Sequence, residues 1–354
     1  MKLLHSADWH LDSPFTGFSP EQRAYLKSEL RKIPEKVADI CRREECDLML
    51  LSGDIFDGPA SPESIAVLRD VLTRCGIPVF ISPGNHDYCA PGSPWLNERW
   101  PENVYIFKGD LESVSIPALD CRIYGAGYRS MDCPGLLEGF RIYGQEQYHV
   151  AVLHGDPVVL SSPCCPVTAA QVRDSGLHYL AMGHIHKAGF FHAGCTHCAW
   201  PGSPMGRGFD ETGEKGVYVV ELEGGVGGRL VPLDTPWFFT LELDTENDAV
   251  SALQTVLPGA GNRDFYRITL TGQSTQPLSE LSARFSHFPN LTLIDRREAE
   301  TNLWENVETD TLEGTYFRLL RESMEGADPE TARQIQMAAE ISRKLLAGKE
   351  VILP

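Results

Sequence analysis

Side chains that bind metals or move protons recur in this sequence directly after apolar runs. Asp8 and His10 follow MKLLHSA, and Asp54 follows Leu48–Leu51 across a Ser52-Gly53 turn. Asn85, His86 and Asp87 follow Val79–Ile81 and a Pro-Gly turn. His154 closes Val150–Leu153 and precedes Gly155 and Asp156, and His184 and His186 follow Tyr179–Gly183. Each stretch alone has a plainer reading, because Gly and Asp are ordinary turn residues. Together they mean more, since strand ends of one parallel sheet converge in space and α/β sheets gather ligands there. Carboxylates, an amide and several imidazoles on one edge form a donor set for hard-to-borderline divalent metals. No thiolate belongs to it, so a structural zinc site is not expected there.

The elements that must position these residues can be read from the intervening chain. Leu48–Leu51 is uniformly apolar, as for a strand buried on both faces. Glu21 to Glu45 has helical apolar spacing at Leu26, Leu30, Ile33, Val37 and Ile40, with Pro34 implying a kink or break. Ser61-Pro62 opens a helix with inner face Ile65, Leu68 and Leu72, and Gly76 ends it. Strand, helix, strand, helix, strand predicts right-handed crossovers and a parallel sheet. From Asn103 the strands shorten: Val104–Phe107, Leu111–Ile116, Arg122–Tyr124, then Val150–Leu153, Tyr179–Met182, Gly189–His192 and Gly216–Leu222. These predict a second, mixed sheet. Gly224 to Gly228 reads as a hairpin-like loop, not a phosphate cradle, since no GK[ST] follows.

The chain leaves this domain around Pro232–Pro236. Strands Phe238–Leu243, Tyr266–Leu270 and Leu291–Ile294, with helices Asp248–Leu257 and Leu278–Phe285, predict a small α+β unit. Asp310-Thr311-Leu312-Glu313 reads as a capping box, and Asp328-Pro329 as a cap followed by a first-turn proline. Gly348 supplies a stop. The last helix carries Met337, Ala338, Ile341 and Leu345 along one side.

The 354 residues suit a large domain with small appendages. No apolar run is long enough to span a bilayer. Asp8, His10 and Asp12 interrupt the only candidate leader, so the cytoplasm is the expected compartment and no membrane partner is expected. Ten cysteines in a chain of this size are read as reduced thiols. Cys195-x-x-Cys198, near His192 and His197, lacks the second half of a zinc site, and Phe190–Trp200 is read as strand and turn near the metal edge. Net charge is −18, and neither the first 235 residues (20 basic, 30 acidic) nor the rest (11 and 19) is basic. That excludes a protein whose whole surface grips nucleic acid.

The ordered motifs Asp8-Trp9-His10, Gly53-Asp54, Gly84-Asn85-His86-Asp87, His154 and Gly183-His184-Ile185-His186 resemble the calcineurin-like metallophosphoesterase superfamily. HLDSPF (His10 to Phe15), GDIFD and GRGFDETGEKG (Gly206 to Gly216) resemble a narrower branch, the bacterial DNA repair exonucleases of SbcD and YhaO type. This likeness extends faintly to EGTYFRLLRE (Glu313 to Glu322). It implies an α/β, four-layer sandwich of two mixed sheets flanked by helices over 1–235. A small α+β capping domain would cover 236–298, and a C-terminal helical segment 299–354.

The resemblance further implies two divalent ions, manganese being the expected metal. Asp8, His10 and His186 would hold one with Asp54, and Asn85, His154 and His184 the other with Asp54 bridging. His86 would be the catalytic residue, orienting or protonating the leaving oxygen. Asp87 either fixes a ring or is a turn residue. Asp8 and His10, at i and i+2, would be pointed one way by a strand end. Where archaeal and eukaryotic relatives carry a histidine three residues after the bridging aspartate, this chain has Asp57, so exonuclease polarity does not transfer. Arg129, Arg207 and Lys215 are either a phosphate patch or solvated surface charge. His5, His149, His178 and His287 are read as structural. The implied function is DNA exo/endonuclease action beside an SbcC-like coiled-coil ATPase, with a homodimer also open. The alternative is a small-molecule phosphodiesterase or phosphatase on the same fold.

Overall fold

The computed structural model describes residues 1–245, 248–258, 263–274, 276–298, 303–346 and 348. The chain runs β1 (Lys2–Ser6), α1 (Pro20–Leu30), α2 (Ile33–Arg43), β2 (Leu48–Leu51), α3 (Pro62–Cys75), β3 (Val79–Ile81), α4 (Pro94–Asn97) and β4 (Val104–Ile106). It continues with β5 (Glu112–Ile116), β6 (Cys121–Gly125), β7 (Tyr148–His154), α5 (Ala169–Ser175), β8 (Tyr179–Gly183), β9 (Gly189–Ala193) and β10 (Thr196–Trp200). Then come β11 (Gly216–Glu221), β12 (Gly227–Pro232), β13 (Phe238–Asp244), α6 (Ala249–Val256), β14 (Phe265–Thr271), α7 (Leu278–Arg284), β15 (Leu291–Asp295), α8 (Leu312–Met324) and α9 (Pro329–Leu346).

Local chemistry accounts for the helix ends. Ser19 and Gln22 form a capping box at α1, with Pro20 in the first turn. The bend expected near Pro34 is a full break: α1 stops at Leu30 and Pro34 sits in the first turn of α2, where its missing N–H costs nothing. Ser61 caps α3, and Gly76, at φ 70°, ends it.

Two six-stranded sheets stack face to face, in the orders β12-β11-β1-β2-β3-β4 and β5-β6-β7-β8-β10-β9. In the first, β1 to β4 are parallel and β11 lies antiparallel to β1. In the second, β6, β7, β8 and β10 are parallel between antiparallel edges. Alternation along the strands sorts the side chains. Leu48 and Leu50 of β2 meet Val150, Val152 and Ala181 between the sheets. Met49 and Leu51 turn outward to Leu26, Ile33, Val37 and Leu68 of the helices. On the far side Ala151, Leu153, Leu180 and Met182 pack with Val172 and Leu177. The result is a four-layer α/β sandwich, and both faces of the interior strands are covered, as their uniform apolarity required.

Two strands lie in a different sheet from the one expected. Val104–Ile106 and Gly216–Glu221 belong to the first sheet, as its parallel edge and as the antiparallel neighbour of β1. Three- and six-residue strands advertise burial but not partner. The Gly224–Gly228 stretch does turn a hairpin, but its last two residues already pair in β12, a strand the sequence hides behind glycines.

The chain divides into one compact unit of Met1–Thr240 with Asn262–Arg267 and another of Leu241–Gly261 with Ile268–Pro354. The expected cap and the expected helical segment both fall largely in the second. A further sheet has the order β13-β14-β15. Asp248 caps α6, and Leu253, Ile268, Leu270 and Leu281 are buried. The cap of α8 is Thr311, whose side chain accepts from the Gly314 amide; the box read from Asp310 to Glu313 does not form, because glycine at the third helical position has no side chain to return the bond. Asp328 caps α9 as expected. α8 and α9 meet through buried Phe317 and Ala339, with the Arg343 guanidinium 3.8 Å from the centre of the Phe317 ring.

Candidate metal centre

Strand register brings the motif residues to one edge. Ser6 pairs with Leu51, Leu51 with Ile81, and His154 with Gly183, so the loops carrying the motifs leave from matching levels. Beyond Ser6 the chain runs beside the Asp54 loop: Asp8 N–H donates to Gly53 O (3.0 Å), His10 N–H to Asp54 O (2.9 Å) and Leu11 N–H to Ile55 O (2.8 Å). The expectation that strand alternation aims Asp8 and His10 is corrected here. β1 has ended, and both residues are left-handed, at φ 54° and 48°; Asp54 is at 51° and His184 at 94°. Such backbone costs about 1–3 kcal/mol per residue and persists where the surroundings over-determine it. Gly53 and Gly84 are among the glycines this edge requires. A Cβ on Gly53 would stand 2.5 Å from His154 Nδ1, and one on Gly84 2.3 Å from Asp54 Oδ1.

Every motif residue reaches this edge. Donor atoms of Asp8, His10 and His186 lie within 4.8 Å of one another, as do those of Asp8, Asp54 and His154, and those of His10, Asp54 and His86. Asp54 Oδ2 is 3.7 Å from His10 Nε2 and 3.4 Å from His154 Nε2. Asn85 Oδ1 is 2.9 Å from His154 Nε2, and His10 Nε2 is 3.1 Å from His186 Nε2. His184 stands slightly apart, its ring centre 5.3 Å from that of His154, and its backbone N–H donates to Asp8 Oδ1 at 3.0 Å.

The tautomers say what this cluster can hold. His154 donates Nδ1–H to Ser52 O at 2.9 Å, leaving Nε2 as a bare lone pair toward Asn85 Oδ1 and Asp54 Oδ2. His186 Nδ1 is held by Glu211 Oε1 at 2.8 Å, which turns a second bare Nε2 toward His10. Acceptors converging on acceptors, at buried positions, fit a divalent cation. Burial lowers the pKa of His10 and His184, keeping both in the neutral, metal-binding form. Burial also opposes ionisation of Asp54, but the imidazoles of His154 and His10 draw its pKa below the usual carboxylate value.

Supporting contacts hold these side chains and revise several expectations. Asp57 accepts from His86 Nδ1 at 2.8 Å and lies 3.5 Å from His10 Nδ1. It is therefore Asp57, not Asp87, that orients a ring. Asp87 is buried and accepts from the backbone of Ile55 and Gly84, both at 2.8 Å, tying the two motif loops together. Burial and the Asp54 charge push its pKa up to about 6. Arg207 and Lys215 are not solvated surface charges. Arg207 bonds Glu211 and lies 3.6 Å from Asp57, while buried Lys215 donates to His186 O and Ser203 Oγ, each at 3.1 Å. Arg129 alone of the three stays on the surface, paired with Asp110.

Glu211 itself was missed. Burial opposes its charge, but the His186 hydrogen bond brings its pKa down to about 2. An acid four residues from Arg207 and from Lys215 was the signal available. The Cys195 turn lies away from the edge, because β10 runs parallel to β8 and only its Trp200 end reaches the site. His5, His149 and His178 bond Tyr179, Tyr124 and the His149 amide respectively, away from the cluster.

A buried cluster of this composition at the strand ends of a two-sheet sandwich defines a metal-dependent phosphoesterase class. Residues 1–188 match the calcineurin-like phosphoesterase family, to which the chain belongs. Its chemistry is phosphoester hydrolysis at a dinuclear metal centre. An uncharacterized metallophosphoesterase of Bacillus subtilis, YhaO, is 34% identical over 245 residues, covering 64% of this chain and 58% of that protein. The chain thus spans less than two thirds of that relative. The SbcD subunit of the nuclease SbcCD is 23% identical over 340 residues in Staphylococcus epidermidis, covering 83% of this chain and 85% of that protein. In Escherichia coli K12 it is 26% identical over 285 residues, covering 67% and 68%. A dimetal phosphatase structure from Danio rerio covers 65% of this chain and 96% of its own at 14% identity and a TM-score of 0.44, a loose likeness that adds nothing to the family assignment. Among the described residues no helix is long and apolar enough to cross a membrane.

Proposed function

We propose that this chain is a two-metal phosphodiesterase that cuts DNA, an exo/endonuclease subunit working in the cytoplasm beside an SbcC-like coiled-coil ATPase, with manganese as its metal. The observation that carries the reading is the buried Asp54 carboxylate, within 4 Å of both His10 Nε2 and His154 Nε2. A carboxylate so placed can serve two ions. Asp8, His10 and His186 would hold one ion with Asp54, and Asn85, His154 and His184 would hold the other with Asp54. When bound, the ions supply a nucleophile by lowering the pKa of water and neutralise charge on the phosphoryl oxygens.

The chain's own residues do the rest. Glu211 and the Ser52 carbonyl hold His186 and His154 in the tautomer that leaves Nε2 free. Asp57 accepts the hydrogen bond of His86 Nδ1–H and raises the His86 pKa, leaving Nε2–H as the group that passes a proton to the leaving oxygen. The side chain of His86 is 40% exposed, so that atom can meet a substrate.

DNA as substrate is supported by the similarity to the SbcD subunit over most of both chains. The ten free cysteines support a reducing compartment. Residues 1–235 serve as nuclease domain, 236–298 as cap and 299–354 as docking segment. For docking, α8 exposes Leu312, Tyr316 and Leu319 along one face, and α9 exposes Met337 and Leu345, whereas Ala338 and Ile341 are half-buried. Since Ala339 seals Phe317, removing α9 would strip a core residue. The sharper test is Leu319→Glu with Leu345→Glu, expected to end co-purification with the ATPase while the melting temperature holds. Co-purification that survives would remove this surface from the account.

The net charge of −18 favours a second reading, a small-molecule phosphodiesterase. The discriminating experiment compares bis-p-nitrophenyl phosphate, single-stranded DNA and duplex DNA, with manganese, with and without the ATPase. The isolated chain is expected to hydrolyse the small ester and to bind duplex weakly. Its salt slope should be shallow, because log K falls by roughly 0.9 per phosphate neutralised. Duplex cleavage should need the ATPase. Ester hydrolysis without any DNA cleavage, even with the ATPase, would establish the second reading.

A further inference from the structure

A cavity of about 550 Å³ adjoins the metal residues, and its lining includes Asp57, beside His10, and Arg207, beside His186. Its remaining lining includes Phe15, Phe18, Phe209 and Arg267. The guanidinium of Arg267 lies over the Phe209 ring, 4.1 Å from its centre. Phe209 is braced from behind by Phe238, edge-on at 5.3 Å, and by Phe18 at 6.2 Å. Arg267 is exposed and forms no ion pair among the described residues. It is a flat cation on an aromatic support, and no carboxylate among the described residues pairs with it. The two basic groups that brace the metal residues are already engaged: Arg207 bonds Glu211, and Lys215 bonds Ser203 and a carbonyl.

A guanidinium plane backed by an aromatic ring is the chemistry that stacks an unstacked nucleic-acid base. The volume is that of a pocket for one small molecule, in the usual range of roughly 300–1,000 Å³. Asp57 and Asp210 offset the charges of Arg207 and Arg267 on the lining, which leaves the cavity without the net positive charge that a second phosphate would need and suits a neutral group. What is flat, neutral and one sugar away from a phosphoester is a nucleoside.

We propose that this cavity is a nucleoside subsite, which takes the unpaired base and sugar next to the scissile phosphate and stacks the base on the Arg267–Phe209 pair. The proposal rests on the phosphodiesterase reading and narrows its substrate to a single-stranded or frayed nucleotide, since a paired base cannot enter. Arg267 and Phe209 bind the leaving or retained nucleoside; they take no part in proton transfer.

The test compares kcat/KM for thymidine 5′-(p-nitrophenyl phosphate) and for methyl p-nitrophenyl phosphate, which share the reacting group and differ in the nucleoside. Wild type should prefer the thymidine ester about tenfold or more, within the roughly 5- to 150-fold that one stacked base contributes. Arg267→Ala and Phe209→Leu should each bring the ratio toward one. A second readout needs no turnover: 2-aminopurine deoxyribonucleoside monophosphate should lose fluorescence on binding the full chain, and regain it when thymidine monophosphate is added but not deoxyribose 5-phosphate. Equal efficiency on the two esters, a ratio preserved in Arg267→Ala, or unquenched fluorescence would each overturn the subsite. If neither ester is hydrolysed, the phosphodiesterase reading fails, and the quenching still decides whether the cavity holds a base.

Discussion

Asp54→Asn is expected to lose both metal ions and all detectable hydrolysis while keeping its fold. Asp54 is 1% exposed at φ 51°, a backbone that Asn tolerates and Ala does not, so the amide tests charge without adding strain. The neutral side chain cannot balance two divalent ions, and one amide oxygen cannot take the place of a bridging carboxylate. Thermal melts with and without manganese read this directly. A ligand bound only to the folded state stabilises it by about 2.7 kcal/mol at a hundred times its Kd. Manganese should therefore raise the melting temperature of wild type and leave that of Asp54→Asn where it was. A variant that still gains stability from manganese, or still turns over, would show that Asp54 does not hold the pair together.

His86→Ala is expected to keep both ions and lose roughly a hundred- to ten-thousandfold in turnover, the usual worth of a positioned acid or base. The geometry makes this a real test, because His86 could join His10 and Asp54 around an ion. An emptied metal position in His86→Ala would make it a ligand. Its companion is Asp57→Asn. The Asp57 hydrogen bond raises the His86 pKa above its ordinary value. A raised pKa keeps the acid form to higher pH, so removing the anion should move the alkaline limb of the kcat profile to lower pH. An unshifted limb with unchanged metal content would show that Asp57 does not tune the proton donor.

Much of this centre was legible because its residues punctuate apolar strands. LMLL before Gly53-Asp54 and VFI before Asn85-His86 announce a buried strand and then a carboxylate or imidazole that packing does not need. The helices were legible through apolar spacing in Glu21 to Glu45 and through Ser61 and Asp328, caps whose chemistry is local, although Ser19 at the start of α1 was not read. What escaped was set by contacts between distant residues of ordinary type. Asp57 and Glu211 look like turn carboxylates, and only the fold brings them to His86 and His186, 29 and 25 residues away. Asp87 was ambiguous for the converse reason: its neighbours in sequence are motif residues, but its partners are backbone amides of another loop. The sheet of Val104–Ile106 was unreadable because three residues at an edge carry no period. β12 was hidden by Gly227 and Gly228, which signal a turn wherever they stand.

The most direct test of the central claim is a manganese titration of metal-free wild type, following bound metal and bis-p-nitrophenyl phosphate turnover together. Two ions per chain are expected, with turnover rising as the second position fills and vanishing on chelation. Full turnover at one ion per chain, or turnover that survives chelation, would contradict a two-ion centre bridged by Asp54.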